Sequence, residues 1–243
     1  MSAPGSPVTA LQASAAAPST PAELVNTAAA AGFRTIGLHV GETPEAEGTW
    51  SHGAGSAELG SLVAALLAGG VGVLDVGRVV LDAGVMIEDF RERHTRVLDL
   101  GGRLGASLVT VHAAGTAADV APLLRRVVEL ARPWGLRPVL VPTLGTPVAT
   151  LDDALAAVAG TPAGVVLAAR AADVSPGRLA ELVDRAGSAL GYVRLAAEDL
   201  GAGLAELAAA VPVAVPLAVG ALAPVAVADL PGRVAALHEA TRR

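Results

Sequence analysis

The segment GVVLAARAADVSPGRLAELVDRAGSALGYVRLA, residues 164–196, contains the unit from which the fold follows. It begins with a short apolar run, GVVLAA (164–169), and ends with another, YVRLA (192–196). Between them, SPGRLAELVDRAG has apolar residues at helical spacing, a Ser-Pro start and a Gly end, which together are typical of a helix. Two buried strands joined by one helix predict a parallel pair covered by that helix.

The same unit recurs along the chain. Further apolar runs predict strands at VTALQ (8–12), TIGLHV (35–40), GVLDV (72–76), LVTVHA (108–113), PVLVPT (138–143) and VAVPLAV (213–219). Amphipathic stretches predict helices at PAELVNTAAAAG (21–32), AELGSLVAALLAGG (57–70), MIEDFRERHTRVLDLGGRLG (86–105), AADVAPLLRRVVELARPWG (117–135), LDDALAAVAG (151–160), GLAELAAA (203–210) and DLPGRVAALHEATRR (229–243).

Eight such strand–helix units match the size of a (β/α)₈ TIM barrel. We predict α/β architecture and one barrel domain over residues 1–243, with residues 1–6 disordered, because no linker or change of composition divides the chain. A doubly wound open sheet is the alternative, although no G-x-G-x-x-G fingerprint follows an early strand.

Composition excludes several classes of partner. A net charge of −6 offers no basic surface for nucleic acid. The absence of cysteine removes disulfides, thiolate nucleophiles and thiolate metal sites. The N-terminal residues lack the pattern of a signal peptide, and no uninterrupted apolar run reaches the ~20 residues that a membrane span needs. We therefore expect a soluble cytoplasmic protein, with a core of Ala, Val and Leu because aromatic residues make up only 2%.

Several stretches carry a family resemblance. They are AELVNTAAAAGFRTIGLHV (22–40), VGVLDVGRVVL (71–81), RVLDLGGRLGASLVTVHA (96–113), LARPWGLRPVLVPTLGTPVATLDDAL (130–155), GVVLAARAADVS (164–175) and GYVRLAAEDL (191–200). In its apolar framework and glycine positions, the chain resembles the xylose isomerase-like TIM barrels over roughly residues 7–240. The closest branch is the sugar phosphate isomerase/epimerase group that includes hydroxypyruvate-isomerase-like proteins. The resemblance implies one divalent metal, held by Glu, Asp, His and Glu at the ends of strands five to eight, which polarises a substrate carbonyl and hydroxyl.

The chain departs from that family at the metal positions. By the family's framing, the four ligand positions fall on Val141, Ala168, Arg194 and Gly220. A substrate-facing His position falls on Ala171, and a further Glu position falls on Gly77. Val, Ala and Gly have no side-chain donor for a hard divalent cation, and a guanidinium repels it. We therefore predict that the protein holds no metal and no other cofactor.

Three polar residues remain near the C-terminal ends of the second, third and fourth predicted strands: His39, Asp75 and His112. Strand alternation points all three into the barrel, at the end where barrels of this kind carry chemistry. They could form a general acid/base group in which Asp75 fixes an imidazole tautomer. Two alternatives stand beside this one: a relocated metal site, or an Asp75 that hydrogen-bonds to backbone or Arg within the barrel while the histidines are partly exposed loop-end residues.

Three arginines, Arg78, Arg170 and Arg194, also lie at predicted strand ends. Guanidinium groups that converge there would bind a phosphate or carboxylate through a planar fork of donors. The alternative is that they form rim ion pairs, each contributing roughly 0–1 kcal/mol. Residues 41–58 are predicted to be a non-helical segment, either a lid from which Trp50 stacks on a ligand or an acidic surface loop. His94 and His238 are expected on solvated helix surfaces.

These observations support two functional hypotheses. The first is a metal-independent isomerase, epimerase or dehydratase acting on a small oxygenated, anionic molecule, with His39 or His112 as the base. The second is a catalytically inactive relative that binds a small molecule or pairs with an active homologue. Under either, the expected partners are a small-molecule ligand and a further copy or homologue of the chain, with no nucleic acid and no membrane. Fold resemblance alone does not decide between them.

Overall fold

Eight parallel strands close into a barrel. The computed structural model of the protein describes residues 9–15, 20–41, 49–51, 56–84, 87–170, 172–196 and 202–220. The strands are β1 (Thr9–Gln12), β2 (Thr35–Gly41), β3 (Thr49–Ser51), β4 (Gly72–Leu81), β5 (Leu108–Ala113), β6 (Arg137–Leu140), β7 (Gly164–Ala169), β8 (Leu190–Ala196) and β9 (Leu217–Gly220). The order β1-β9-β8-β7-β6-β5-β4-β2 closes because β1 also pairs with β2, and these pairings are parallel. The fold is thus a (β/α)₈ TIM barrel, and closure excludes the open doubly wound sheet.

Helices cover the outside of the barrel. They are α1 (Pro21–Ala30), α2 (Ser56–Gly69), α3 (Ile87–Arg103), α4 (Ala117–Ala131), α5 (Leu151–Val158), α6 (Pro176–Ala186) and α7 (Ala202–Ala209). The helix predicted at residues 229–243 and the disorder predicted at residues 1–6 lie outside the described residues. Among the helices in the described ranges, none combines the length and apolar character that crossing a membrane requires.

The helices begin where local chemistry favours a start. The side chains of Thr20 and Thr150 each accept a hydrogen bond from the backbone N–H three residues on, and the carboxylate of that residue accepts one from the backbone N–H of the threonine. These hydrogen bonds satisfy N–H groups that the helix leaves unpaired. Ser175 accepts from Arg178 N, and Pro176 occupies the first turn of α6, where a missing N–H costs nothing. Short connections can therefore turn the chain from strand to helix at defined residues.

Two apolar cores result from the alternation of side chains along the strands. The larger core lies between the strands and the helices and contains the outward residues of every barrel strand. The smaller core fills the barrel itself with residues from seven strands: Ala10, Leu74, Leu108, Val139, Val141, Val166, Tyr192 and Ala218. Because this filling occupies the middle of the barrel, polar side chains collect above it, near the C-terminal ends of the strands.

The structure corrects several sequence expectations. β4 runs on to Leu81 because GRVVL continues the apolar alternation beyond the predicted end. β9 begins only after Pro216, since proline lacks the N–H that a central strand must donate. The segment predicted to be non-helical, 41–58, ends earlier, because α2 starts at Ser56, and it contains the strand β3, which pairs with β2. His94 is not solvated: it is 3% exposed and lies edge-on to Phe90 with ring centroids 4.3 Å apart.

Candidate functional site

Two imidazoles flank β4 at the open end of the barrel. His39 on β2 pairs in register with Gly77 on β4, and His112 on β5 pairs with Val80 on the other side of the same strand. The residues on either side of each histidine belong to the outer core, so both imidazoles face the interior. Both are half-buried. The sequence prediction that these two side chains share the mouth agrees with this arrangement.

A hydrogen-bond network lies beneath them in the barrel. Gln12 Nε2 donates to Asp75 Oδ1 at 2.8 Å, and the Tyr192 hydroxyl donates to Asp75 Oδ2 at 3.5 Å. The three side chains come from β1, β4 and β8, and none is more than 1% exposed. Gly37 lies between Gln12 and Asp75 in the strand register, and a side chain on it would overlap both. A glycine therefore lets a side chain reach across one strand to the next.

A bulge directs Asp75 inward. Ile36 pairs with Val73 and Gly37 pairs with Asp75, so Leu74 has no partner of its own on β2. The extra residue lets the consecutive side chains of Leu74 and Asp75 both serve the interior, one in the apolar filling and one in the network.

Burial dominates the ionisation of this network. It raises the pKa of Asp75 from 3.8 to about 6, against the hydrogen bond from Gln12, the charge of Arg194 and the hydrogen bond from Tyr192, which all favour the carboxylate. The pKa of the Tyr192 hydroxyl is raised well above 10, first by burial and then by the negative charge of Asp75. The Tyr192 hydroxyl therefore keeps its proton at neutral pH and donates a hydrogen bond to the carboxylate.

Both histidines are held in the neutral form. The pKa of His39 is lowered from 6.5 to about 4, first by burial and then by the positive charges of Arg194 and Arg78. The pKa of His112 is lowered to about 3 by burial, by Arg78 and Arg194, and by His39 itself. These two imidazoles and two guanidiniums thus lie within electrostatic reach of one another.

The three predicted arginines do not act alike. Arg78 on β4 and Arg194 on β8 both act on the imidazoles, although Arg78 is exposed and Arg194 is half-buried. Arg170 instead lies 3.8 Å from Asp173 in an exposed ion pair, the rim pairing that was its alternative interpretation. Two of the three therefore converge on the mouth.

Asp75 has partners other than the imidazole expected from the sequence. Its hydrogen bonds in the described part of the chain go to Gln12 and Tyr192, which are neither an imidazole nor the backbone and Arg partners of the alternative interpretation. Sequence reasoning missed both partners. Tyr192 is the only tyrosine of the chain and lies on a barrel strand, and Gln12 is a polar residue in an otherwise apolar run; these are the signals that could have found them. The backbone of Trp50 is in β3, and its side chain lies outside the description.

Comparison with known proteins was made on sequence and on structure. No family model and no curated protein matches the chain. Among solved structures, the 3-keto-D-glucoside 4-epimerase YcjR from E. coli aligns over 96% of this chain and 98% of its own, with a TM-score of 0.70 at 17% identity. The D-allulose 3-epimerase from Methylomonas sp. aligns over 100% and 96%, with a TM-score of 0.68 at 16% identity. A xylose isomerase-like TIM barrel protein from Mycobacterium smegmatis, in complex with magnesium, aligns over 99% and 98%, with a TM-score of 0.63 at 13% identity.

The fold is that of the xylose isomerase-like TIM barrels. Identities this low establish shared architecture and leave the chemistry to be argued from the site. The xylose isomerase-like fold raises the question of a divalent metal, since one of these similar structures contains magnesium.

The four positions where the resemblance implies metal ligands carry Val141, Ala168, Arg194 and Gly220, all within the described residues. Within the described ranges, no three His, Cys, Asp or Glu side chains converge as a metal site requires. Val141 is part of the apolar filling, and Ala168 pairs in register with Arg194. The position of Gly77 has no room for a side chain, because one would overlap the hydroxyl of Thr110.

Proposed function

We propose that the mouth of this barrel binds a small oxygenated anion and isomerises, epimerises or dehydrates it by proton transfer, without a divalent metal. The observation that carries the proposal is the grouping of two neutral imidazoles with two guanidiniums at the end of the barrel where this fold carries chemistry.

The guanidiniums of Arg78 and Arg194 would hold the anionic group. Each offers a planar fork of donors to a carboxylate or phosphate and stays charged at every relevant pH. In the described part of the chain, neither Arg78 nor Arg194 forms an ion pair with a carboxylate.

An imidazole would move the proton. A neutral His39 or His112 takes a proton from the carbon beside a carbonyl, and the electron pair of that C–H bond moves onto the carbonyl oxygen to give an enolate. In an epimerisation the proton returns to the same carbon from the opposite face; in an isomerisation it goes to the former carbonyl carbon, while the hydroxyl proton of the first carbon moves to the other oxygen. In a dehydration the imidazolium instead gives its proton to a hydroxyl group on the next carbon, which leaves as water. The positive field of the arginines stabilises the oxyanion formed between these steps. The resemblance implies a metal that stabilises this oxyanion, and here a fixed guanidinium would stabilise it instead.

Ligand binding would itself strengthen the base. An imidazole whose pKa is about 4 or about 3 is a weak base. A bound anion offsets the charges of Arg78 and Arg194, which are among the causes of those low values, so the imidazole pKa rises towards the working pH. Base strength and substrate binding are thereby coupled.

Asp75 has a supporting role in this proposal. Its carboxylate lies beneath the mouth, and the charge of Arg194 acts on it. With Gln12 and Tyr192 it forms a fixed polar floor, so we assign it to the electrostatic balance of the site and not to the orientation of an imidazole.

The test is proton exchange in D₂O. Purified protein is incubated with a panel of sugar phosphates and hydroxy-keto acids in the presence of EDTA, and C–H to C–D exchange is followed by NMR. We expect exchange with at least one anionic compound, its loss in the His39→Ala/His112→Ala double variant, and its retention in Arg125→Ala, an exposed arginine on α4. Exchange that survives the double variant contradicts the assignment of the base. Exchange that EDTA abolishes and added metal restores contradicts metal independence.

One observation favours the second hypothesis, a non-catalytic binding relative. In the ligand-free protein both imidazoles are far weaker bases than a free histidine, which suits a pocket that only binds. Tight binding of an anion without any exchange into it would support this function.

A further inference from the structure

Gly220 lies directly beneath the side chain of Arg194. A Cβ atom on Gly220 would be 3.1 Å from Arg194 Cδ and 3.4 Å from Arg194 Cγ, closer than carbon atoms normally approach. It would also lie 3.2 Å from the hydroxyl of Ser14, just beyond the end of β1. The aliphatic stem of Arg194 therefore extends from β8 across β9, over the position that a larger residue at 220 would fill.

The requirement for glycine at this position is one of space. The φ angle of Gly220 is not among the positive values, so any residue could adopt its backbone conformation. The strand neighbours of Arg194 are also small, since it pairs in register with Ala168 on β7 and Ala218 on β9. Small residues on both neighbouring strands leave a channel along which one long side chain is held by packing.

The same device occurs elsewhere in the barrel. Gln12 reaches across Gly37 to Asp75, just as Arg194 lies across Gly220 towards Ser14. In the first case the glycine allows a hydrogen bond in the floor of the mouth. In the second it positions a cation, because burial of the stem against the barrel wall limits where the guanidinium can go.

The position of that cation matters for every other group of the mouth. The charge of Arg194 contributes to the shifted pKa values of His39, His112, Asp75 and Tyr192, whereas that of Arg78 contributes to two of them, those of His39 and His112. Displacing the charge of Arg194 would change the ionisation of all four groups at once.

We infer that Gly220 is the specificity-determining position of this barrel. Because Gly220 has no side chain, the stem of Arg194 can occupy the space above it, and the guanidinium is held as a permanent cation at the mouth. The pocket would therefore select a ligand that carries a carboxylate or phosphate. The inference rests on the proposed anion-binding function and deepens it. Gly220 is a positioning residue, which acts through Arg194 and not by touching the ligand.

Substitutions of increasing size test the inference. Gly220→Ala requires a shift of only a few tenths of an ångström, whereas Gly220→Leu displaces the stem. Binding of inorganic phosphate and of malonate, which separate the two anion chemistries, is measured by titration calorimetry. We expect little change for Gly220→Ala and a loss on the order of tenfold or more for Gly220→Leu, comparable with Arg194→Ala, because a charge-assisted hydrogen bond is lost in both. The Gly220→Leu/Arg194→Ala double variant should bind the anion no more weakly than Arg194→Ala alone, because both substitutions remove the same interaction.

A second measurement separates positioning from general damage. The imidazole pKa values of His39 and His112, followed by NMR titration, should rise in Gly220→Leu and in Arg194→Ala, because the first displaces and the second removes the same positive charge. Gly60→Leu, at an exposed helical glycine with nothing within 4 Å, is the matched control and should change neither affinity nor these pKa values. If Gly220→Leu does not fold, Gly220→Val and Arg194→Lys take its place.

The outcomes distinguish the inference from the function on which it rests. Loss of anion affinity in Arg194→Ala with full affinity in Gly220→Leu overturns the role of Gly220 and leaves the anion-binding mouth standing. Full affinity in Arg194→Ala overturns the roles of Gly220 and Arg194 and leaves an anion-binding mouth that depends on Arg78. If neither anion binds the natural protein, the proposed function fails, and unchanged imidazole pKa values in Gly220→Leu then overturn the inference separately.

Discussion

Replacing Asp75 by Asn should make the stability of this protein respond differently to pH. Asp75 is buried in the barrel, and burial raises its pKa above that of an unfolded chain. Asn has nearly the same shape. Its carbonyl can still accept from Gln12 Nε2 and its amide can donate to the Tyr192 hydroxyl, so the change removes a charge and keeps the network.

The size of the effect follows from the two pKa values. The difference between 3.8 and about 6, at about 1.4 kcal/mol per pH unit, corresponds to about 3 kcal/mol of folding free energy. The sign follows because the folded state binds the proton more tightly. The contribution of Asp75 to the free energy of unfolding is present in full below pH 3.8, and it is lost as the pH rises to about 6. Asp75→Asn should therefore equal the natural protein near pH 4 and exceed it by up to about 3 kcal/mol above pH 6.

The assay is urea unfolding of both proteins at half-unit steps from pH 4 to 8. Only the difference between them is used, because His39 and His112, with pKa values lowered to about 4 and about 3, impose the opposite trend on both. Their neutral forms favour folding, and that stability falls as pH drops below 6.5. A difference that stays constant across the whole range would refute the raised pKa of Asp75. A difference that grows as pH falls would refute the direction.

Three further predictions concern the frame of the barrel and its metal content. Arg137→Ala should destabilise the fold by about 2–4 kcal/mol in urea unfolding, because the guanidinium donates to three backbone carbonyls at the N-terminal end of the barrel. Arg178→Ala, which breaks only an exposed ion pair, is the control and should lower the free energy of unfolding by less than about 1 kcal/mol. Equal losses in the two variants would contradict the stabilising role assigned to Arg137. Gly77→Ala should lower the free energy of unfolding by about 2 kcal/mol or more, because the new methyl group would overlap the Thr110 hydroxyl. The Gly77→Ala/Thr110→Ala double variant should recover part of that loss, and no recovery would show that the backbone sets the requirement for glycine. Protein dialysed against Mg²⁺, Mn²⁺ and Zn²⁺ should retain no stoichiometric metal by elemental analysis, and one equivalent bound at the mouth would show that the ligand positions were assigned to the wrong residues.

The barrel was predictable because its signals are local. Strands at 108–113 and 164–169 match their predicted bounds residue for residue, since each is a short apolar run with a clear boundary. Errors arose where a local signal was ambiguous. The prediction for the last strand included Pro216 because apolar residues surround it, and β3 was missed because three residues carry too little pattern to detect.

The site was predictable only in part. Alternation along a strand sufficed to place His39 and His112 in the mouth, because facing depends on a residue's own strand. It could not supply the partners of Asp75, which are 63 and 117 residues away along the chain. Alternation also could not distinguish Arg170 from the other two arginines. Arg170 pairs with Asp173, three residues away, whereas the charges of Arg78 and Arg194 lower the pKa of an imidazole in the mouth.

By itself, then, the amino-acid order indicated alternating strands and helices of the kind that form a parallel barrel, and the direction in which His39 and His112 face. Both are consequences of apolar periodicity, which acts over a few residues at a time. Tertiary structure alone decided that Gln12 crosses Gly37 to reach Asp75, and that Arg194 crosses Gly220. The first contact needs β1 paired with β2 and β2 paired with β4, and the second needs β8 paired with β9, because such pairing brings the empty space of a glycine on one strand beneath a long side chain from the next.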